Sequence, residues 1–229
     1  MILKRQTAFT LAEVLITLLI IGIIASIVIP GLIADTQDTE FKTAWKKVFS
    51  DFSQAGKLAA LNNSGSLSDA LGTSTGTEGY FRDALLKHMS YTKLCAENTA
   101  AGPDGCWHAA NTFYSLSGSA ISSDYTSYSR AVLNNGSLVS FNLQSTTCTY
   151  TYTANDDSCG VVIIDINSFK GPNKVGKDIY GLHITRNGTA VPFGSQNDAY
   201  YDSPSSYSCD LAAYPSTYGW SCSAKNLNQ

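Results

Sequence analysis

Between Phe9 and Ile33 the chain runs for 25 residues with a single charged side chain, Glu13. Wound as an α-helix, that stretch is roughly 37 Å long, enough to cross a hydrocarbon layer of about 30 Å with some tilt. The core helix of a soluble domain is rarely so uniformly apolar. Lys4 and Arg5 precede the run, and the next charge beyond it is Asp35. The positive-inside bias therefore predicts a cytoplasmic N-terminus, with residues 35–229 across the membrane.

A cleavable secretory signal has a shorter apolar core, about 7–15 residues, followed by a pair of small residues. Here the core is longer, and "PGLIADTQ" places Leu32 and Ala34 where the small pair would stand. No cysteine directly follows the run, so lipid attachment there is excluded. A plain anchor leaves Glu13 without a purpose. An acid inside an apolar span costs a few kcal/mol and normally has a partner. Thr10 and Thr17 are weak donors, so the expected partner lies on another molecule.

The segment "TAFTLAE", with the apolar run behind it, resembles the class III signal of type IV pilins and type II secretion pseudopilins. In that family a prepilin peptidase cuts on the cytoplasmic side before a Phe, leaving a helix with Glu at its fifth position. The resemblance implies cleavage between Ala8 and Phe9, with Phe9 the first mature residue and Glu13 the fifth. The family usually has Gly where this chain has Ala8. Pro30 becomes the twenty-second mature residue, where the family also tends to place a proline. The match covers about 45 N-terminal residues. It further implies N-methylation of Phe9, passage through an inner-membrane assembly platform and a cytoplasmic motor, and a filament made with other copies and with minor pilins or pseudopilins.

Cleavage would expose an α-amine at Phe9, cationic below a pKa of about 8. At about 4 Å and an effective dielectric near 20, that amine and the Glu13 carboxylate attract by roughly 4 kcal/mol before desolvation. In the family, the Glu of one subunit neutralises the amine of its neighbour as the subunit leaves the bilayer. Glu13 would thereby set register as well as supply energy.

Removing residues 1–8 takes Lys4 and Arg5 away and moves the net charge from −3 to −5. A mildly acidic domain is poorly suited to unspecific nucleic-acid binding, which depends on neutralising phosphates. The six cysteines form three close couples: Cys95 with Cys106, Cys148 with Cys159, and Cys209 with Cys222. An even count in an exported domain predicts disulfides, although six cysteines allow about 15 connectivities. The three local loops are favoured because each couple brackets a turn-rich stretch. The rival is zinc, for which "CWH" at 106–108 resembles half a site, but the chain has no C-x-x-C pair.

Beyond Pro30 the helix is expected to continue, kinked or locally melted there by the missing amide. Phe41, Trp45, Val48, Phe52, Ala55 and Ala59 recur at helical spacing, and "LNNSGS" at 61–66 should stop the helix. "LSDALG" predicts a short helical turn, and "GYFRDALLKHM" a helix with Phe81, Leu85 and His88 on one side. Past Cys106 the texture turns to β. Hairpins are predicted around Asn135-Gly136 and Asn187-Gly188, read as two-residue turns. "TCTYTYT" alternates like a strand, and "GVVIIDI" at 160–166 is a nearly continuous apolar strand. The Tyr-, Ser- and Pro-rich end should be irregular and pinned by Cys209–Cys222.

The stretch from Asp165 to Gly194 resembles a loop common in pilin-like proteins, a GPN-x-x-G-x-D run carried by Gly171, Pro172, Asn173, Gly176 and Asp178. Asp165, Asn167, Asn173 and Asp178 offer oxygen ligands, and major pseudopilins hold calcium in a C-terminal loop, so calcium is the one cofactor to test. An EF-hand is not matched: Phe169 stands where a third ligand would be and Gly176 where the closing Glu would be. Turn capping is the competing role for these side chains. No catalytic motif is present. His88 reads as a capping or surface residue and His183 as a surface strand residue, while Trp107, Trp220 and the thirteen tyrosines read mostly as packing.

These features together predict an α+β, pilin-like, disulfide-stapled protein: a long N-terminal helix, its first half transmembrane, packed on an antiparallel sheet of four to six strands. The expected divisions are a leader (1–8), a transmembrane and polymerisation helix (9–33), its amphipathic continuation (34–61) and an extracytoplasmic domain (62–229). The expected function is a non-enzymatic structural subunit of a pilus-like or secretion pseudopilus filament. It would sit first in the inner membrane as a single-pass protein and then in a periplasmic or cell-surface fibre. The alternative is a minor tip subunit that binds a surface, a secreted substrate or DNA.

Overall fold

The computed structural model describes residues 9–71, 78–95, 101–102, 105–122, 128–151, 157–196, 198 and 204–229. Helix α1 runs without interruption from Leu11 to Leu61, through Pro30. The chain separates into two compact units, residues 1–40 and 41–229. The second therefore includes the last two-fifths of α1.

In that unit the helical stripe is buried as its spacing predicts. Trp45, Val48, Phe52, Ala55 and Ala59 are covered, together with Gly56 and Ala60, while Phe41 is partly buried. Asn62 to Gly65 end the helix in a turn whose last residues, Ser64 and Gly65, take positive φ, and Gly65 donates its amide to the Ala60 carbonyl at 2.9 Å. A 3-10 turn at Leu67–Ala70 and helix α2, Glu78–Leu86, follow, each placing apolar residues in the same core.

The sheet is a meander. Strands β1 (Tyr91–Cys95), β2 (Ser129–Leu133), β3 (Leu138–Leu143), β4 (Ser158–Asp165), β5 (Ile179–Thr185) and β6 (Ala190–Pro192) lie in chain order, each antiparallel to the next. Side chains alternate between the faces of a strand, and β4 shows both faces occupied. Val162 and Ile164 join Phe141, Leu182, Ile184 and the α1 stripe on one side. Val161 and Ile163 join Leu138, Ile179, Trp107, Phe113, Phe193 and Trp220 on the other. The sheet thus lies between α1 with α2 and a layer of irregular segments. Trp45 anchors the first face, stacking on Tyr180 at 4.8 Å and donating its indole N–H to the Ser223 carbonyl at 2.9 Å. Fully burying a side chain of this class contributes roughly 1.5–3 kcal/mol.

Three expectations change in detail, and one strand was not foreseen. The Asn-Gly hairpins are three-residue loops rather than two-residue ones. Leu133 pairs with Ser137 across Asn134-Asn135-Gly136, and Thr185 with Thr189 across Arg186-Asn187-Gly188, the glycine closing each loop at positive φ. "TCTYTYT" forms no strand among the described residues. Cys148 sits at φ 52°, its amide bonds back to the Ser145 carbonyl, and a single bridge joins Tyr150 to Ser158; residues 152–156 lie outside the described set. Strand β1 lacks an apolar alternation, and four of its five residues are exposed, so its sequence carried no core signal. Two short helices, α3 (Pro204–Tyr207) and α4 (Cys222–Leu227), interrupt the irregular C-terminal stretch.

Candidate functional site

The N-terminal half of α1 is an apolar surface. Exposure of its large side chains from Phe9 to Ile33 runs from 46% at Val14 to 85% at Phe9. Its length and hydropathy suffice to cross a membrane. Thr17, Ser26 and Thr36 turn their hydroxyls back onto carbonyls three or four residues earlier, which hides those groups from a hydrocarbon environment.

Glu13 does have a partner in its own chain, contrary to the expectation from sequence. The Thr10 amide donates to Glu13 Oε2 at 2.8 Å and the Thr10 hydroxyl to the same oxygen at 2.9 Å. The Glu13 amide donates to Thr10 Oγ1 at 3.2 Å. This reciprocal arrangement is a capping box, with Thr10 at the N-cap and Glu13 three residues on. The spacing T-x-x-E is legible in "FTLAE" as a helix start. The box holds the carboxylate back over residue 10, one position from the Phe9 nitrogen. Both side-chain bonds fall on Oε2; among the described residues Oε1 accepts none.

This apolar helix, with a capped acid in its first turn, begins within the stretch that a family model matches. Residues 3–29 match the family model described as the prokaryotic N-terminal methylation motif. The chain carries the signature of type IV pilins and pseudopilins. Against curated proteins and against solved structures it finds no significant match. The motif is that of a pilin-like precursor processed by prepilin peptidase, and the apolar helix fits a membrane-anchored precursor. Ala8 and the rest of residues 1–8 lie outside the described residues, so of the expected cleavage junction only Phe9 is described.

The globular part of this pilin-like chain is stapled as its cysteine spacing favoured, by Cys95–Cys106, Cys148–Cys159 and Cys209–Cys222, which leaves no thiol for zinc. Each short loop contributes up to about 3 kcal/mol by restricting the unfolded chain.

The four candidate calcium ligands do gather in one loop, between β4 and β5, and their carboxylates are turned onto protein donors. Asp165 Oδ1 accepts the Asn167 amide at 3.0 Å, and Oδ2 faces His108 Nε2 at 2.7 Å. Asp178 Oδ2 accepts the Asn173 amide at 2.8 Å, and Oδ1 the Lys174 amide at 2.6 Å. Asn167 donates its side-chain amide to the Gly171 carbonyl at 3.1 Å. Among the described residues no three His, Cys, Asp or Glu side chains converge on a common point.

Burial pushes the Asp165 carboxyl up to about 7; the nearby Asp178 charge adds to that, and the hydrogen bond from His108 opposes it. Burial likewise raises Asp178, against the amides that cap it. A carboxyl whose folded pKa exceeds its unfolded value of 3.8 takes up a proton on folding. The stability it contributes is complete below about pH 4 and drains as pH rises through about 7. The domain should therefore melt at lower temperature at pH 8.5 than at pH 6, and Asp165→Asn should flatten that slope. Thermal melts at the two pH values check this.

His183 is fully buried in β5, not a surface residue. Its Nε2 lies 2.8 Å from Asp198 Oδ1, its Nδ1 3.4 Å from Ser158 Oγ, and the Gly194 amide holds Asp198 Oδ2 at 2.6 Å. The order of groups resembles a hydrolytic relay, yet Ser158 is 0% exposed and the Phe193 ring lies 4.7 Å from the imidazole, so the hydroxyl is closed to solvent in this structure. The arrangement ties the segment after β6 to the sheet. The alternation around His183 was readable; its burial was not, because the covering layer comes from distant sequence. His88 is half-buried with Asn62 at 3.4 Å, and Trp107 and Trp220 are core residues.

Proposed function

We propose that the chain is a shaft subunit of a type IV pilus-like or type II secretion pseudopilus filament, inserted with its N-terminus in the cytoplasm and polymerised through α1. The observation that carries this reading is the methylation motif at residues 3–29, together with a first helical turn in which, among the described residues, Glu13 keeps one oxygen available. In the membrane the capping box satisfies half of the carboxylate. On assembly the free Oε1 accepts the methylated amine of the adjoining copy, so the acid need not leave its own helix to make the intermolecular pair. The attraction supplements burial of the apolar surface between Phe9 and Ile33 against neighbouring helices. Partners in this reading are prepilin peptidase, the assembly platform, minor subunits and other copies of the chain.

The minor tip-subunit alternative is weaker, because a subunit that caps a fibre needs fewer longitudinal contacts than Glu13 and the uninterrupted apolar surface supply. Abundance separates the two: a shaft subunit dominates purified filaments and a tip subunit is scarce. The primary test is mass spectrometry of the mature N-terminus. The expected species begins at N-methylated Phe9; a stable protein beginning at Met1 counts against assembly altogether.

A further inference from the structure

Helix α1 carries six charges between Asp35 and Lys47, and they are segregated by sign. Asp35, Asp38 and Glu40 come first with no base among them; Lys42, Lys46 and Lys47 follow with no acid. We infer that this stretch is a docking surface for a second copy of the chain, the acids of one copy packing beside the lysines of a parallel neighbour displaced along the helix axis. The inference rests on the filament reading above and adds to it the offset between neighbours.

Pairing within the helix does not account for the segregation. Opposite charges three or four residues apart meet on one helix, and of the three acids only Asp38 has a lysine at that spacing, Lys42. Contacts with the rest of the chain do not account for it either. Lys42 donates to the Gln229 side chain at 2.8 Å. Asp35, Glu40, Lys46 and Lys47 are exposed, and among the described residues none of them forms an ion pair. Lys46 and Lys47 lie off the buried stripe of Trp45, Val48 and Phe52.

Parallel neighbours set level with each other would place acid beside acid and lysine beside lysine, and like charges at contact distance repel. A displacement of four to eight residues reverses the sign: it brings Glu40 to Lys46 and Lys47, Asp35 to Lys42, and Asp38 to Lys42 and Lys46. In length that is roughly 6–12 Å of helix. The pair between the Phe9 amine and Glu13 needs a displacement in the same direction, since Glu13 lies four residues beyond Phe9. The copy that supplies Glu13 is also the copy that supplies the lysines. One offset therefore serves both sets of charges. Each exposed pair is weak by itself. Repeated along a fibre, the pairs fix an offset that the uniformly apolar run from Phe9 to Ile33 leaves open.

The test uses filaments of the full-length wild type, sheared from cells and treated with a carbodiimide, which joins a carboxylate to an amine without a spacer. Along one helix Glu40 is about 9 Å from Lys46 and about 10.5 Å from Lys47, so links between them arise only between copies. Peptide mass spectrometry of the treated filaments should find Glu40–Lys46 or Glu40–Lys47 links. Lys46→Glu with Lys47→Glu should lower filament yield at least about tenfold at unchanged membrane level. Adding Asp38→Lys with Glu40→Lys should restore most of the yield. Three results overturn the inference: filaments without any Glu40–Lys46 or Glu40–Lys47 link, normal assembly of the lysine-reversed protein, or no recovery in the fourfold variant. Should either variant fail to accumulate in the membrane or to be cut before Phe9, the wild-type links decide alone. A wild type that keeps Met1 and forms no filament overturns the filament reading and this inference together, whereas filaments that form without the links remove only the displaced packing.

Discussion

Glu13→Ala and Glu13→Gln should both insert into the membrane, both be cut to begin at Phe9, and both be missing from filaments. The pair is informative because the two roles of Glu13 separate chemically. Glutamine preserves the capping box, since its side-chain oxygen also accepts the N-cap amide, whereas alanine removes it at a cost of about 0.5–2 kcal/mol of helix stability. Neither side chain carries the charge that would hold a neighbouring amine, an attraction of roughly 4 kcal/mol before desolvation. If charge is what assembly uses, filament yield falls at least a hundredfold in both variants, as about 3 kcal/mol per contact would dictate. Filaments from Glu13→Gln at normal yield, with none from Glu13→Ala, would assign Glu13 to helix capping and remove the intermolecular pair. Yield is read by shearing and immunoblotting, with membrane-fraction protein as the control.

Gly188→Ala should be the most damaging single-methyl change in the globular unit. Gly188 closes the β5–β6 loop at φ +72°, and a Cβ there would lie 2.0 Å from the Gly56 carbonyl oxygen. The reverse holds too, a Cβ on Gly56 meeting the Gly188 oxygen at 2.5 Å. Helix and hairpin touch backbone to backbone at this point, with Lys57 bonding the Asn187 carbonyl and the Thr189 hydroxyl beside it. Left-handed backbone costs an alanine about 1–2 kcal/mol, and forcing the two elements apart adds roughly 1–3 kcal/mol. The sum, about 2–5 kcal/mol, is a large share of the 5–15 kcal/mol that holds a typical domain together. Urea melts of the oxidised protein measure it. A loss below about 1 kcal/mol would mean that the loop moves off the helix freely and that the contact carries little.

Gly56 shows how far sequence pattern reaches. The apolar stripe from Trp45 to Ala59 identified the buried face of α1 correctly, because helical spacing is a local property. Nothing in that spacing says that the position after Ala55 meets another glycine 132 residues later. The hairpin loops make the same point at shorter range. "NNGS" and "RNGT" announce turns through their Asn-Gly pairs, but whether two or three residues lie between paired positions depends on the register of the flanking strands. Register follows from which face of the sheet each side chain must occupy.

The histidines mark the sharper limit. His108 beside Cys106 resembled half a metal site, and His183 in an alternating strand resembled a solvent-facing residue; both are buried against aspartates, Asp165 and Asp198. Their partners lie 57 and 15 residues away in the chain, Asp165 at the end of β4 and Asp198 in the irregular segment after β6, and no local spacing links either to its histidine.

The chain's own order of residues was enough to specify the membrane-length helix, its processing motif, the buried stripe beyond Phe41 and the three short disulfide loops. Each is encoded within a few dozen consecutive residues, so hydropathy, spacing and short-loop closure suffice to express it. Folding in three dimensions decided which acids are capped and by what, why Gly56 and Gly188 admit no side chain, and that a layer of irregular backbone hides two His–Asp pairs. Those outcomes depend on long-range approach, where burial is set by segments that share no local pattern with the residues they cover.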